Sequence, residues 1–412
     1  MNQTPPPHRF RSAMLRSTIC IVGLAAILTA TACNSNADKR HMTDRQRANA
    51  ERLERQEAVR QQLERRYMVG PSSAAKINYK VRWQFPVPHR NVKSLTTSED
   101  SLYILTHSND LIRVQSNDGR RVWTASIANP LVQIESITPV QNEDIVIVLT
   151  ESSLITLDIN TGAPKEVAID KARQELQWVA STPGTLSGEY LLYGSPSGKL
   201  IWQAWRIGFA WQAYQIDHTL HRQPLVQGET AVSAGPSGVI IAFNIGQASQ
   251  LWQTRLLDDI VAEPVSNSEA VYVAGLDQHL RAFDLKSGRT IWRALTTSPL
   301  ADNPVLIDDT VYQQIPGEGL AAFAALPKNK LDGQRRWTND TTTGSVLTLH
   351  REQLVVWDKQ TKVLSTVTTS QGSTGTMLTL GDVDDVVASG LASGELYVIG
   401  TDGRVTALTP HN

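Results

Sequence analysis

The side chains best suited to chemistry in this chain are few and scattered. Nine histidines are spread over 412 residues, and the nearest pair in the body is His218 and His221, with Asp217 beside them. Two imidazoles and a carboxylate could ligate a divalent cation, yet a short polar run of this kind reads first as a solvated loop. The two cysteines, Cys20 and Cys33, both fall in the first 33 residues. The body therefore offers no thiol nucleophile, no disulfide framework and no cysteine-based zinc site. There is no GxxxxGK[ST] loop to cradle phosphates, no dinucleotide fingerprint opening a helix, and no serine in a G-x-S-x-G elbow. The pairs Arg120–Arg121 and Arg335–Arg336 are too short to make a basic patch, and a net charge of −1 argues against nucleic acid as a partner. No catalytic residue, metal or cofactor is expected from these patterns.

The elements around these residues are more informative. Arg9, Arg11 and Arg16 precede an apolar run over 19–28, then small residues and Cys33. This is the layout of an export signal, and the run is too short to span a bilayer. The tetrapeptide Ala30-Thr31-Ala32-Cys33 resembles the lipobox of bacterial lipoproteins, with Ala30 where Leu is usual. The resemblance implies a signal peptide over 1–32 and a mature chain beginning at Cys33, which would carry the acyl chains, palmitate among them. Asn34 resembles the sorting pattern that sends such lipoproteins to the outer membrane, facing the periplasm.

A linker is expected over 33–78. Within it, 43–67 is rich in Arg, Glu, Gln and Ala and lacks Gly and Pro, which predicts a helix. Arg47/Glu51, Glu51/Arg55 and Arg60/Glu64 stand four apart, where opposite charges support a helix. Its large apolar residues are too few for a coiled coil. The helix is either a solvated spacer or a segment that docks on a partner or on the body. Gly70-Pro71-Ser72-Ser73 stops it.

From Tyr79 onward the apolar period changes to two, and short strands recur. The hairpin 271–283 aligns without a gap on 396–408, with Tyr272, Gly275, Asp277 and Ala282 matching Tyr397, Gly400, Asp402 and Ala407. Residues 231–243 and 102–114 fit the same frame. A turn glycine then precedes a tryptophan by four residues at Gly119/Trp123, Gly288/Trp292 and Gly333/Trp337. Ala248 replaces the glycine before Trp252, and the turn ending at Gly162 has lost its tryptophan. The series Trp83, Trp123, Trp211, Trp252, Trp292 and Trp337 has intervals of 40, 88, 41, 40 and 45. A period of about 40–45 residues with four short strands per unit marks propeller blades. These six are the expected structural tryptophans, and Trp202 and Trp205 are expected to pack between blades.

Three strands, at 385–391, 395–401 and 404–409, remain after the last full unit and lack an outer partner. The orphan strand 79–85 supplies one, closing the ring and removing an exposed edge. The expectation is an all-β, eight-bladed propeller over 79–412. Seven blades remain open, because 341–381 fits the repeat poorly.

The repeated Ala-x-Asp-x-x-Ser/Thr-Gly-x-x-x-Trp, clearest at 282–292, resembles the tryptophan-docking repeat of PQQ-like propellers. One branch with this repeat is the quinoprotein dehydrogenases, which would imply a quinone-binding or small-molecule enzyme. The other is the outer-membrane protein assembly lipoprotein BamB and its relatives, which pair a lipobox with an eight-bladed ring closed end to end. That resemblance implies a non-catalytic scaffold that contacts BamA-type barrel-assembly machinery through a Leu-x-Leu-Arg loop and an Asp-x-Asp loop. Leu220-His221-Arg222, before blade four, resembles the first with His interposed. Asp258-Asp259-Ile260-Val261, before blade five, resembles the second with Val261 at its second acidic position. Leu220, Arg222, Asp258 and Asp259 are therefore the candidate partner-binding residues. A general envelope interaction module is the remaining alternative.

Overall fold

The computed structural model describes residues 44–88, 92–167, 171–216, 219–327 and 331–411. The expected signal peptide, Cys33, Asp217 and His218 lie outside the described residues. The chain forms two compact units, 1–62 and 63–412. Helix α1, Asp44–Arg66, buries none of its side chains, as its near-uniform polarity requires. No helix among the described residues is long and apolar enough to cross a membrane.

The second unit is a closed ring of eight four-stranded antiparallel sheets. Blades 1 to 7 span 92–126, 134–175, 185–215, 225–255, 265–295, 305–339 and 345–379. Blade 8 combines 383–410 with the strand Tyr79–Pro86. The first strands of successive blades neighbour one another and so surround the axis. The closing strand pairs antiparallel with Arg404–Pro410, from Tyr79 opposite Pro410 to Pro86 opposite Arg404. Tyr79 is buried, and its hydroxyl donates to the Gly394 carbonyl at 3.0 Å.

Why the sheets stack is visible at each junction. The second and third strands are buried along nearly their whole length, since each blade is sandwiched by two others. Among the described residues there are eight apolar clusters, one per pair of adjacent blades. An outer-strand indole then reaches across to the next blade. Trp83, Trp123, Trp252, Trp292 and Trp337 donate from Nε1 to the carbonyls of Ser116, Ile159, Leu285, Ala325 and Thr369, at 2.7–2.8 Å. The turn glycine lies against that ring: a Cβ on Gly288, which has φ +68°, would meet the Trp252 indole at 2.5 Å. Glycine is needed there for its backbone and for its lack of side chain.

The series holds at five of the six tryptophans and fails at Trp211. Trp211 is 40% exposed and stacks on Tyr190 at 5.0 Å. In blade 4, Trp252 stands opposite Ala242; at the matching place in blade 3, Gln212 stands opposite Trp202. Trp211 is thus one residue out of register, and a one-residue shift turns a strand side chain to the other face. The docking is done instead from the third strand by Trp202, fully buried, whose Nε1 donates to the Ile245 carbonyl at 3.2 Å.

At two junctions the clusters hold Trp205 and Trp357, but no outer-strand indole reaches the next blade. From blade 2, Gln174 donates through Nε2 to the Trp205 carbonyl at 2.6 Å. In blade 7 the place four residues after Gly372 is Thr376, whose Oγ1 donates to the Lys76 carbonyl at 3.1 Å. Lys76 ends the short helix α2, Pro71–Lys76, and Val69, Ala74 and Ile77 fill the cluster between blades 7 and 8. The segment 68–78, expected as the end of the linker, is built into the ring.

Candidate partner-binding face

In antiparallel blades, turns from second to third strand and connections from outer strand to next blade emerge on one face. Four of those connections, 176–184, 216 with 219–224, 256–264 and 296–304, share two features at forty-residue spacing. Each opens with the same bond: the N–H of Leu176, Ile216, Leu256 and Thr296 donates to Ser152, Gly198, Gly238 and Gln278, at 2.8–2.9 Å. Four residues further on, each drops an apolar side chain into the ring: Ala180, Leu220, Ile260 and Leu300, all buried.

That repeat corrects one expected contact. Leu220 is 1% exposed, packed in the cluster around Trp202 and Phe243. It anchors the loop, as its three counterparts do, and presents nothing to a partner. Arg222 is half-buried on the same loop, while Asp258 and Asp259 are exposed at the tip of the next one.

The Asp258–Asp259 tip is held from below. Asp277, in the turn between the second and third strands of blade 5, accepts from Arg281 Nη1 and Nη2 at 2.8 and 2.6 Å. The Leu257 backbone also donates to its carboxylate. Burial alone would raise the Asp277 carboxyl, but the hydrogen bonds and charge of Arg281 outweigh it and hold the group below its usual range. Leu257 itself stands 91% exposed beside the two aspartates. On the same face, at the connection from blade 1 to blade 2, Leu131 is 93% exposed.

These leucines were missed from the sequence. A signal existed for Leu257: the repeat buries one residue at the Leu256 position, so a second leucine following it is surplus to packing. Apolar tips beside carboxylates on a rigid rim suit a protein partner better than a small substrate. Among the described residues, no group of three or more His, Cys, Asp or Glu is placed to hold a metal ion.

A family profile described as outer membrane protein assembly factor BamB matches this chain over 76–187 and 187–412. The chain belongs to the BamB family. BamB of Bordetella pertussis is 26% identical over 169 residues, a match spanning 40% of this chain and 39% of that protein's length. The crystal structure of BamB from Moraxella catarrhalis superposes with a TM-score of 0.62 at 19% identity, covering 80% of this chain and 97% of the other. The computationally designed Ika8 protein reaches 0.61 at 11% identity, over 79% and 98%. Likenesses this remote establish the propeller fold alone, since BamB and a designed ring score alike.

Proposed function

We propose that this protein is a non-catalytic, lipid-anchored scaffold on the periplasmic side of the outer membrane, where it binds BamA-type barrel-assembly machinery. The observation that carries the reading is the BamB family match, which runs through every blade of the ring. The loops support it physically: Asp258, Asp259 and Leu257 form an exposed, backbone-anchored tip, and Arg222 sits on the preceding connection. Five of the tryptophans are already committed to carbonyls of the next blade rather than free to stack on a quinone, which favours scaffold over enzyme.

The anchor would be the acyl chains on Cys33, which add roughly 0.8 kcal/mol per buried methylene. Affinity capture of the tagged full chain from detergent-solubilised envelope tests the reading. Co-purification of the BamA-type barrel protein is expected, and its consistent absence overturns the proposal. Labelling with radioactive palmitate, lost in Cys33→Ala, tests the anchor separately.

A further inference from the structure

On the same face as those loops, where blades 6, 7 and 8 meet, lies a pocket that takes Asp302 from the connection 296–304 and has a volume of about 460 Å³. That is within the range of ligand sites, roughly 300–1,000 Å³. Its wall carries Asp302, Asp358 and Asp385 against a single cation, Lys359, which pairs with Asp385 at 2.7 Å. Asp358 accepts from Thr343 and from the N–H groups of Gln360 and Thr361. Burial would raise its carboxyl, and these bonds hold it below the usual range instead. Asp302 behaves oppositely, pushed up first by burial and then by the charge of Asp358. A cation entering the pocket would relieve both effects.

Charge is only half of what the pocket asks for. Trp357 lines it, is 4% exposed, and carries an indole N–H with no hydrogen-bond partner among the described residues. The six docking indoles, by contrast, each have a carbonyl partner. Gln314, also on the wall, has a buried side-chain oxygen with no partner. An unpaired buried donor and an unpaired buried acceptor on the wall of one pocket make a specific demand. A metal ion offers nothing to an indole N–H, because both are electropositive. A neutral sugar could meet the two orphans but would leave the Asp302 carboxylate uncompensated. A basic residue within a polypeptide meets all of it, with a carbonyl for Trp357, an N–H for Gln314 and a guanidinium or ammonium for the aspartates.

We propose that the pocket between blades 6, 7 and 8 binds an arginine- or lysine-bearing peptide segment through Asp302, Asp385, Gln314 and the Trp357 indole. It is a second binding site, separate from the Asp258–Asp259 tip, and does not depend on what that tip binds.

The test uses the purified full chain with its tryptophans labelled with nitrogen-15, the Trp357 indole resonance being assigned with Trp357→Phe. Acetyl-Gly-Arg-Gly-amide is titrated in, with the matching glutamine and glutamate peptides as the other arms. The arginine peptide is expected to shift the Trp357 resonance saturably, and to bind about tenfold more tightly than the glutamine peptide. The double variant Asp302→Asn/Asp385→Asn should lose that preference while keeping the other indole resonances in place. An unmoved Trp357 resonance, equal binding of the glutamine or glutamate peptide, or a preference that survives the double variant would each overturn the proposal.

Discussion

Arg281 clamps Asp277 with two hydrogen bonds of 2.8 and 2.6 Å, and the clamped carboxylate in turn holds the backbone of Leu257. Both side chains are largely buried, at 11% and 5% exposure. Removing one partner leaves the other charge uncompensated. Arg281→Met should therefore cost about 2–4 kcal/mol in urea unfolding and loosen the Leu257–Asp259 tip. The pH dependence follows from the depressed carboxyl. Asp277 contributes stability that is present above its unfolded value of about 4 and is lost as pH falls through the lower folded value. Unfolding curves of the wild type should show that acid loss, and Arg281→Met should show much less of it.

The docking assignments separate tryptophans that look equivalent in the sequence. Trp292→Ala and Trp202→Ala each remove a fully buried indole with a bond to the next blade, and should cost about 3–5 kcal/mol. Trp211→Ala removes a half-exposed ring stacked on Tyr190, and should cost no more than about 1 kcal/mol. Chemical denaturation of the three variants checks the order; a Trp211 loss equal to the others would contradict the register described here.

Ala248 stands where the repeat has glycine, and its φ is +46°. A left-handed alanine costs roughly 1–2 kcal/mol, so Ala248→Gly should raise stability by about 1 kcal/mol. Gly288→Ala should do the reverse and by more, since its new methyl would meet the Trp252 ring. Thermal melts of the pair would show opposite displacements.

His350 ties the closing seam to pH. It is 7% exposed, its ring meets Tyr79 edge-on at 5.6 Å, and its Nε2 has no partner among the described residues. Burial, and then the charge of Arg351, depress its basicity. The unfolded chain therefore takes up a proton more readily than the folded one. The stability this gives is complete well above the unfolded value of about 6.5 and is lost as pH falls from there toward the folded value. His350→Gln should flatten the stability profile as pH falls below about 6.5; an unchanged slope would remove His350 as its source.

The ring was legible in the sequence because its cause is periodic. The Gly-to-Trp spacing and the gapless hairpin alignment report a local backbone need that recurs in several blades, and the orphan strand at Tyr79 supplies the one strand that blade 8 lacks. Eight blades could not be separated from seven because blade 7 puts Thr376 where tryptophan is expected and takes its docking acceptor from Lys76, about 300 residues earlier in the chain. A long-range substitution of that kind leaves no trace in spacing. Trp211 misled for a related reason: its interval of 41 to Trp252 hides a one-residue difference that reverses the side chain's face. The candidate contacts were legible only by resemblance. Leu220 shares its type with an expected contact, yet its forty-residue spacing from Ala180, Ile260 and Leu300 marks it as packing. The Trp357 pocket carried no sequence signal, because its walls come from three blades.

The proposed function requires that the face bearing Asp258, Asp259 and Leu257 meet the assembly machinery. Placing a photo-crosslinking amino acid at Asp258 in the full chain, with a control at Leu295 on the outer strand of blade 5, tests it most directly in living cells. Light should yield a covalent adduct with the BamA-type barrel protein from position 258 and none from 295. Adducts from 295 but not 258, or no BamA-type adduct from either, would contradict it.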